Sequence, residues 1–244
     1  MQSSILLTGT SRGIGYAITQ RFLQENWTVH GASTKMINEW RHNQAYHHTI
    51  LDLFEVPEAI DSWMNPLISS KNLPSVVINN AAIFLESPIE SDETDWLDKW
   101  RKTLEVNLTA SSYIAKKAIQ YWAEYDIPGI LINISSRAAQ RGDTQEFAAY
   151  AASKAGMLAF IKSVARNYGK KGITAFSVAP GFVHTDMAIE SIQTYGEEYL
   201  TQCLALNEIV PPEDIATLVY RIASGEFKHA TGQTFHVNSG SYMV

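Results

Sequence analysis

A serine, a phenol and an ammonium that converge on one point can hand a proton to a carbonyl oxygen, and Ser136, Tyr150 and Lys154 offer that set. Tyr150 and Lys154 stand at i and i+4, on one face of a helix. Asn107 lies upstream as a further polar candidate. Near the N-terminus, Thr8-Gly9-Thr10-Ser11-Arg12-Gly13-Ile14-Gly15 follows a short apolar run. Glycines so spaced let backbone turn tightly, approach a pyrophosphate and aim helix N-terminal N–H groups at it. A simple tight connection between strand and helix would use the same residues, and the spacing differs from the G-x-G-x-x-G fingerprint.

Tyr-x3-Lys occurs twice, as Tyr113 with Lys117 and as Tyr150 with Lys154. Only the second copy follows an apolar run that ends in serines, Ile132-Asn133-Ile134-Ser135-Ser136. Only that copy can therefore meet a polar group at a strand's C-terminal edge. Tyr113 and Lys117 read as packing and solvated surface.

The elements that must position these groups alternate along the chain. Strands are expected over Ile5 to Thr8, Thr28 to Ala32, Thr49 to Leu53, Ser75 to Asn79, Gly129 to Ser135, Ile173 to Ala179 and Thr234 to Val237. Helices are expected over Ile14 to Glu25, Lys35 to Asn43, Pro57 to Ser70, Asp95 to Tyr125, Phe147 to Tyr168 and Pro212 to Ala223. The pattern predicts an α/β fold, a Rossmann-like doubly wound parallel sheet of seven strands with helices on both faces. A single domain spanning 1–244 is expected, with a substrate-lid insertion at about 185–210. From Phe147 to Tyr168 the small and apolar residues occupy more than one helical face, which predicts burial by more than the sheet.

At 244 residues and 45% hydrophobic composition, the chain can bury one large core. A formal charge of −6 with 19 scattered Lys and Arg disfavours nucleic acid as a partner. Cys203 is the only cysteine, which excludes an intramolecular disulfide and a Cys-based metal cluster. It reads as a packing residue, because no basic cluster surrounds it in sequence. His47 and His48 are adjacent in a strand and point to opposite faces, so no metal is expected there. Ile5-Leu6-Leu7 is too short for a signal peptide or membrane span, so a cytoplasmic enzyme without a membrane partner is expected.

Taken together in this order and spacing, the motifs resemble the short-chain dehydrogenase/reductase family, in the branch that includes 3-oxoacyl-carrier-protein reductases. The resemblance runs from the Thr8 to Gly15 turn through Asn79-Asn80-Ala81-Ala82, Asn107, Ser136 and Tyr150-Ala151-Ala152-Ser153-Lys154 to Pro180-Gly181-Phe182-Val183-His184-Thr185-Asp186. It implies Tyr150 as general acid/base, Lys154 as the residue that lowers the phenol's pKa and holds the nicotinamide ribose, and Ser136 as donor to the substrate oxygen. It implies that Asn107 anchors a water linking Lys154 to solvent. Ser136 rather than Ser135 is chosen as the second residue of the family's Ser-Ser pair. The implied cofactor site comprises Gly9, Thr10, Ser11, Arg12, Gly13, Ile14, Gly15, Asp52, Leu53, Asn80, Ala81, Tyr150, Lys154, Pro180, Gly181, Val183 and Thr185. For Asp52 the competing reading is a turn residue at a strand end. The resemblance also implies a homotetramer or homodimer.

Between Thr28 and Lys35 there is no acidic residue to hold a ribose 2′-hydroxyl, whereas Arg12, Ser33, Thr34 and Lys35 could surround a 2′-phosphate. NADP(H) is therefore expected over NAD(H), with NAD(H) possible; solvated surface charge is the other reading of Arg12 and Lys35. Phe84, Gln140, Phe147 and Met187 are expected to contact substrate, with Tyr195, Tyr199 and Leu200 suggesting an apolar lid. The functional expectation is NADP(H)-dependent reduction of a ketone or 3-oxoacyl group to a secondary alcohol. A small free or CoA-linked carbonyl compound is favoured over a carrier-bound acyl group, because the chain is acidic. The alternatives are an NAD-dependent dehydrogenase of alcohols or sugars, and a non-catalytic dinucleotide-binding redox sensor.

Overall fold

A computed structural model describes residues 3–185, 198 and 201–243. Seven strands form one sheet: β1 Ser4–Thr8, β2 Thr28–Ser33, β3 Tyr46–Ile50, β4 Val76–Asn79, β5 Ile130–Ile134, β6 Thr174–Pro180 and β7 Thr234–Val237. All neighbours pair in parallel, in the order β3-β2-β1-β4-β5-β6-β7. The order reverses between β1 and β4, where doubly wound sheets open their ligand crevice.

The helices are α1 Gly13–Gln24, α2 Glu58–Ser69, α3 Glu93–Leu104, α4 Ser111–Glu124, α5 Ala138–Arg141, α6 Ala148–Tyr168 and α7 Pro212–Ala223. Successive strand residues face opposite ways, so each face of the sheet builds its own core. Ile5 and Leu7 of β1 and Ile132 of β5 pack with Phe22 of α1 and Val219 of α7. On the other face, Leu6 and Leu131 pack with Met64 of α2, Trp122 of α4 and Ile161 of α6. Trp122 is fully buried, and its indole N–H donates to the Pro74 carbonyl at 3.0 Å, so its burial leaves no polar group unpaired.

Three local expectations change. Lys35 to Asn43 forms bends and turns rather than a helix. Its helix-like spacing of Ile37 and Trp40 has another cause: both are buried plugs, and Trp40 stacks on Tyr16 of α1 at 4.6 Å and meets Tyr46 edge-on at 5.3 Å. The third strand covers Tyr46–Ile50 instead of Thr49 to Leu53. An edge strand with one solvated side can carry histidines, while Leu51 and Leu53 are buried in the turn that follows it. The expected helix from Asp95 to Tyr125 starts earlier, where the Asp92 side chain accepts from the N–H groups of Thr94 and Asp95, and it is interrupted by a π-helical turn at Glu105–Ala110. The apolar faces of α6 are used within the chain, since α3, α5, the π-helical turn and β6 all pack against it.

Candidate active site

The glycine turn leaves β1 and enters α1 at the C-terminal edge of the sheet. A Cβ on Gly15 would sit 1.9 Å from the Gly9 carbonyl oxygen, so only glycine allows this closure. Thr8 completes the clamp: its hydroxyl accepts the Asn80 and Ala81 N–H groups, each at 3.0 Å, while the Asn80 amide donates to the Thr8 and Gly9 carbonyls. α1 has no side-chain cap and no acidic residue in its first turn, so its first N–H groups and positive dipole end face the crevice. Arg12 is exposed beside them, and Thr185, beyond β6, lies against Gly13. These features fit the pyrophosphate of a dinucleotide.

Ser136 follows β5, and Tyr150 and Lys154 rise from the first turns of α6 to meet it. The Ser136 hydroxyl accepts the Ala138 N–H at 3.1 Å and lies near enough to the Tyr150 phenol to lower its pKa. Burial pushes that phenol up to about 12, against the lowering effect of Ser136, and the charge of Asp143 adds to the rise. Lys154 is 2% exposed, and burial brings its ammonium down to about 7. Its Nζ donates to the Ile134 carbonyl at 2.8 Å and lies 5.7 Å from the centre of the Tyr150 ring. One donor is spent there; two remain for a ligand. The neighbouring Ser135 hydroxyl donates to the Lys154 carbonyl at 3.1 Å, which is a structural bond.

Asn107 sits in the π-helical turn and is fully buried. Both ends of its side chain are engaged: Oδ1 accepts the Ile83 N–H at 2.8 Å, and Nδ2 donates to the Ile83 carbonyl at 3.0 Å and to the Ser153 hydroxyl at 3.1 Å. Ser153 in turn donates to the Tyr150 carbonyl at 2.7 Å. The amide thus ties the loop after β4 to the start of α6, and Ser153 enters the site's framework unanticipated. The Asn107 backbone carbonyl accepts from the Ser111 hydroxyl at 2.8 Å and keeps a second lone pair for a water.

Towards β2 and β3, several side chains expected to contact the adenosine make bonds within the protein. Thr10 is buried with its hydroxyl 2.8 Å from the Tyr46 phenol. Asp52 is exposed past the end of β3, its Oδ1 accepting the Phe54 N–H at 3.0 Å as a turn residue does, while Leu53 is buried. Ser33 donates its one proton to the Lys35 carbonyl at 2.8 Å, so it must accept from His48 Nε2 at 2.9 Å. His47 is exposed and stacks on His30, whereas His48 is half-buried against Ser33 at the end of β2. No spacing in the sequence links positions 33 and 48; only the β2–β3 pairing brings them together. Thr34 and Lys35 are exposed, as is Arg12.

Beyond β6, Pro180 is buried and accepts the Arg137 N–H at 3.0 Å, Gly181 donates to the Val237 carbonyl at 2.9 Å, and Val183 bridges to Val210. Phe84 and Phe147 stack at 3.8 Å, and Phe84 presents its ring at 89° to Tyr150 at 4.7 Å. These two phenylalanines wall the phenol. Gln140 lines an open cavity of about 880 Å³ with Lys162, Arg166 and His236. Met187, Tyr195, Tyr199 and Leu200 fall outside the described residues. Cys203 is exposed, with the Arg137 guanidinium 3.9 Å from its sulfur, which corrects its reading as a packing residue without a basic neighbour. Among the described residues, no group of three His, Cys, Asp or Glu side chains could hold a metal ion.

Comparison with known proteins places these features. A family profile described as enoyl-(acyl carrier protein) reductase matches residues 9–242. The 3-oxoacyl-[acyl-carrier-protein] reductase FabG of Vibrio harveyi is 31% identical over 98% of this chain and 97% of its own length. That of Staphylococcus aureus is also 31% identical, over 100% and 99%. Among solved structures, 4-hydroxyisoleucine dehydrogenase complexed with NADH superposes with a TM-score of 0.91 at 25% identity, covering 98% of each chain. The same enzyme with NADH and succinate gives 0.85 at 26% identity, over 97% and 98%. A glycine turn, a Ser-Tyr-Lys cluster at the sheet's C-terminal edge and full-length similarity to these enzymes lead to one conclusion: the chain belongs to the short-chain dehydrogenase/reductase family of NAD(P)-dependent oxidoreductases.

Proposed function

We propose that the protein reduces a ketone or 3-oxoacyl group to a secondary alcohol with NADP(H), acting through Tyr150, Ser136 and Lys154. The observation that carries this reading is the phenol of Tyr150: held protonated by burial, with Ser136 near enough to influence it, at the edge where β5 ends. A protonated phenol is the form that gives a proton to a carbonyl oxygen. When bound, the reduced nicotinamide supplies hydride to the carbonyl carbon. Tyr150 then transfers its proton to the oxygen, which Ser136 orients by donating a hydrogen bond. Lys154 has donors left for the nicotinamide ribose, and Asn107 keeps Tyr150 in position through Ser153. Gly9, Gly13 and Gly15 with Asn80, Ala81, Val183 and Thr185 would line the rest of the cofactor, and Asp52 the adenine. Phe84 and Phe147 would bound the substrate.

Preference for the 2′-phosphate rests on exposed Arg12 and Lys35 and on the lack of an acidic residue from Thr28 to Lys35. NAD(H) stands as the second reading, because the 4-hydroxyisoleucine dehydrogenase structures carry NADH. A cytoplasmic homotetramer or homodimer accompanies this reading by family resemblance, and among the described residues no helix is long and apolar enough to cross a membrane.

The test is oxidation of NADPH and NADH against a panel of ketones, oxo acids and 3-oxoacyl thioesters. NADPH turnover with at least one carbonyl class supports the assignment, and a chain that binds cofactor yet reduces none of them overturns it. Arg12→Ala should weaken NADPH by about tenfold more than it weakens NADH. Equal effects on both cofactors would return Arg12 to solvated surface.

A further inference from the structure

Only two cationic side chains are buried among the described residues, Lys154 and Arg137. They stand on either side of the proton-transfer pair: Lys154 beneath Tyr150, and Arg137 next in sequence after Ser136. Lys154 has a task in the reaction, whereas Arg137 has none. Arg137 as a whole is 7% exposed, and its guanidinium lies over the Phe182 ring at 4.1 Å and reaches the Cys203 sulfur at 3.9 Å. The ion pairs of the described residues use Arg21, Lys99, Lys117, Arg141 and Arg221, never Arg137.

Burying a guanidinium without an anion is costly, and an aromatic face offsets only part of that cost. Burial is the first cause that lowers its pKa, and the charge of Arg141 lowers it further. The one described carboxylate whose field reaches it is Asp143, which pairs with Arg141 at 3.8 Å and also bears on Tyr150. Arg137 and the phenol therefore share an electrostatic neighbourhood. Its backbone N–H donates to Pro180, and Phe182 belongs to the same loop after β6 that carries Val183 and Thr185. The guanidinium thus sits where the ends of β5 and β6 meet the chain returning at Cys203, on the crevice side of the sheet.

We propose that Arg137 receives the carboxylate of the substrate, making the enzyme's substrate a small oxo acid (or the matching hydroxy acid) rather than an acyl thioester; this rests on the reductase reading above. A guanidinium presents two parallel N–H donors that match the two oxygens of a carboxylate. One carboxylate also neutralises one buried cation, whereas a phosphate dianion would leave a net negative charge beside it. The ketone of such an acid would face Ser136 and Tyr150 while its carboxylate lies one residue further along the chain.

The experiment compares wild type, Arg137→Met and Arg137→Lys on 3-oxobutanoate and 4-oxopentanoate, each beside its methyl ester, with NADPH. The wild type should prefer acid to ester by about tenfold or more in kcat/KM, and Arg137→Met should lose the acid by roughly a hundredfold while changing the ester little. Arg137→Lys should fall between. Parallel loss of acid and ester in Arg137→Met would assign Arg137 to packing and overturn the proposal, as would a wild type indifferent to the carboxylate. Thermal shift with 3-methylbutanoate and 4-methylpentanoate, which carry methyl where the oxo acids carry oxygen, reads carboxylate binding without chemistry. A rise in Tm for wild type that is absent in Arg137→Met supports the site even if no carbonyl is reduced, which would count against the reductase reading alone. No shift in wild type, with or without NADPH, overturns the site.

Discussion

The two Tyr-x3-Lys pairs of this chain have nearly the same internal geometry and opposite surroundings. In α4 the Lys117 Nζ lies 5.6 Å from the Tyr113 ring centre; in α6 the Lys154 Nζ lies 5.7 Å from that of Tyr150. Helical spacing alone fixes that distance. What differs is the third partner. Asp61 of α2 accepts from the Tyr113 hydroxyl at 3.0 Å and pairs with Lys117 at 2.6 Å, with Asn65 a further acceptor for Lys117 at 2.7 Å. The α6 pair has no carboxylate in contact among the described residues, only the Ser136 hydroxyl and the Ile134 carbonyl. The carboxylate fixes both partners of the first pair on a wet surface, whereas burial leaves the second shifted towards neutral and open to a ligand. On the proposed mechanism, reactivity comes from what the pair is denied.

The sharpest way to break this contrast is to remove each phenol. Tyr150→Phe should lower carbonyl reduction by roughly a thousandfold or more while NADPH binding survives, because only the transferable proton is lost. Tyr113→Phe should keep turnover within about twofold, since its hydroxyl serves Asp61 alone. Steady-state kinetics and cofactor titration on both variants decide it. If Tyr150→Phe retains most activity, the proton comes from another group and the contrast between the two pairs has no catalytic meaning.

A second test exploits the ammonium. Lys154 titrates near 10.5 when free and near 7 in the folded protein. Below pH 7 both states hold the proton and the burial penalty is complete. Between pH 7 and 10.5 the unfolded chain keeps a proton that the native state has released, so stability rises with pH, by at most roughly 1.4 kcal/mol per unit. Denaturant titrations of the protein without cofactor should show that rise between pH 7 and 9, and Lys154→Met should flatten it. Lys117→Met should leave the slope in place. An unchanged slope in Lys154→Met would show that Lys154 is not the buried titrating group.

Which pair stands beside a serine at a strand end was legible in the sequence, because a strand ending in Ser135-Ser136 precedes only Tyr150. The parallel sheet was legible too, since each apolar run is bounded by turn residues and followed by an amphipathic stretch. The shell around the site was not. Ser153 and Ile83 are recruited by Asn107 across 46 and 24 positions, and His48 meets Ser33 only through strand pairing. Thr10 and Asn80 read as ligand contacts, yet their side chains hold Tyr46 and the Thr8 and Gly9 carbonyls. Short polar residues serve ligands and backbone with the same atoms, so type and spacing cannot separate the two uses. The π-helical turn at Glu105–Ala110 leaves no mark in a pattern whose apolar residues keep helical spacing.

The smallest expected effect asks whether the α4 pair is inert by nature or is silenced by Asp61. Lys117 and Asp61 form a partly exposed ion pair, 13% and 35% accessible, of a kind that salt and water largely screen. Asp61→Asn keeps an acceptor for the phenol and the ammonium while removing the charge. It should move Tm by no more than about two degrees and leave turnover unaltered. The informative variant combines it with Tyr150→Phe. If a carboxylate were all that held Tyr113 and Lys117 back, releasing them would restore some reduction in the double variant. We expect none, because Tyr113 projects from α4 onto α2, on the face of the sheet that also packs α6, and no strand end there presents a serine to a substrate oxygen. Recovered activity would show that position at the sheet's C-terminal edge matters less than freedom from a carboxylate.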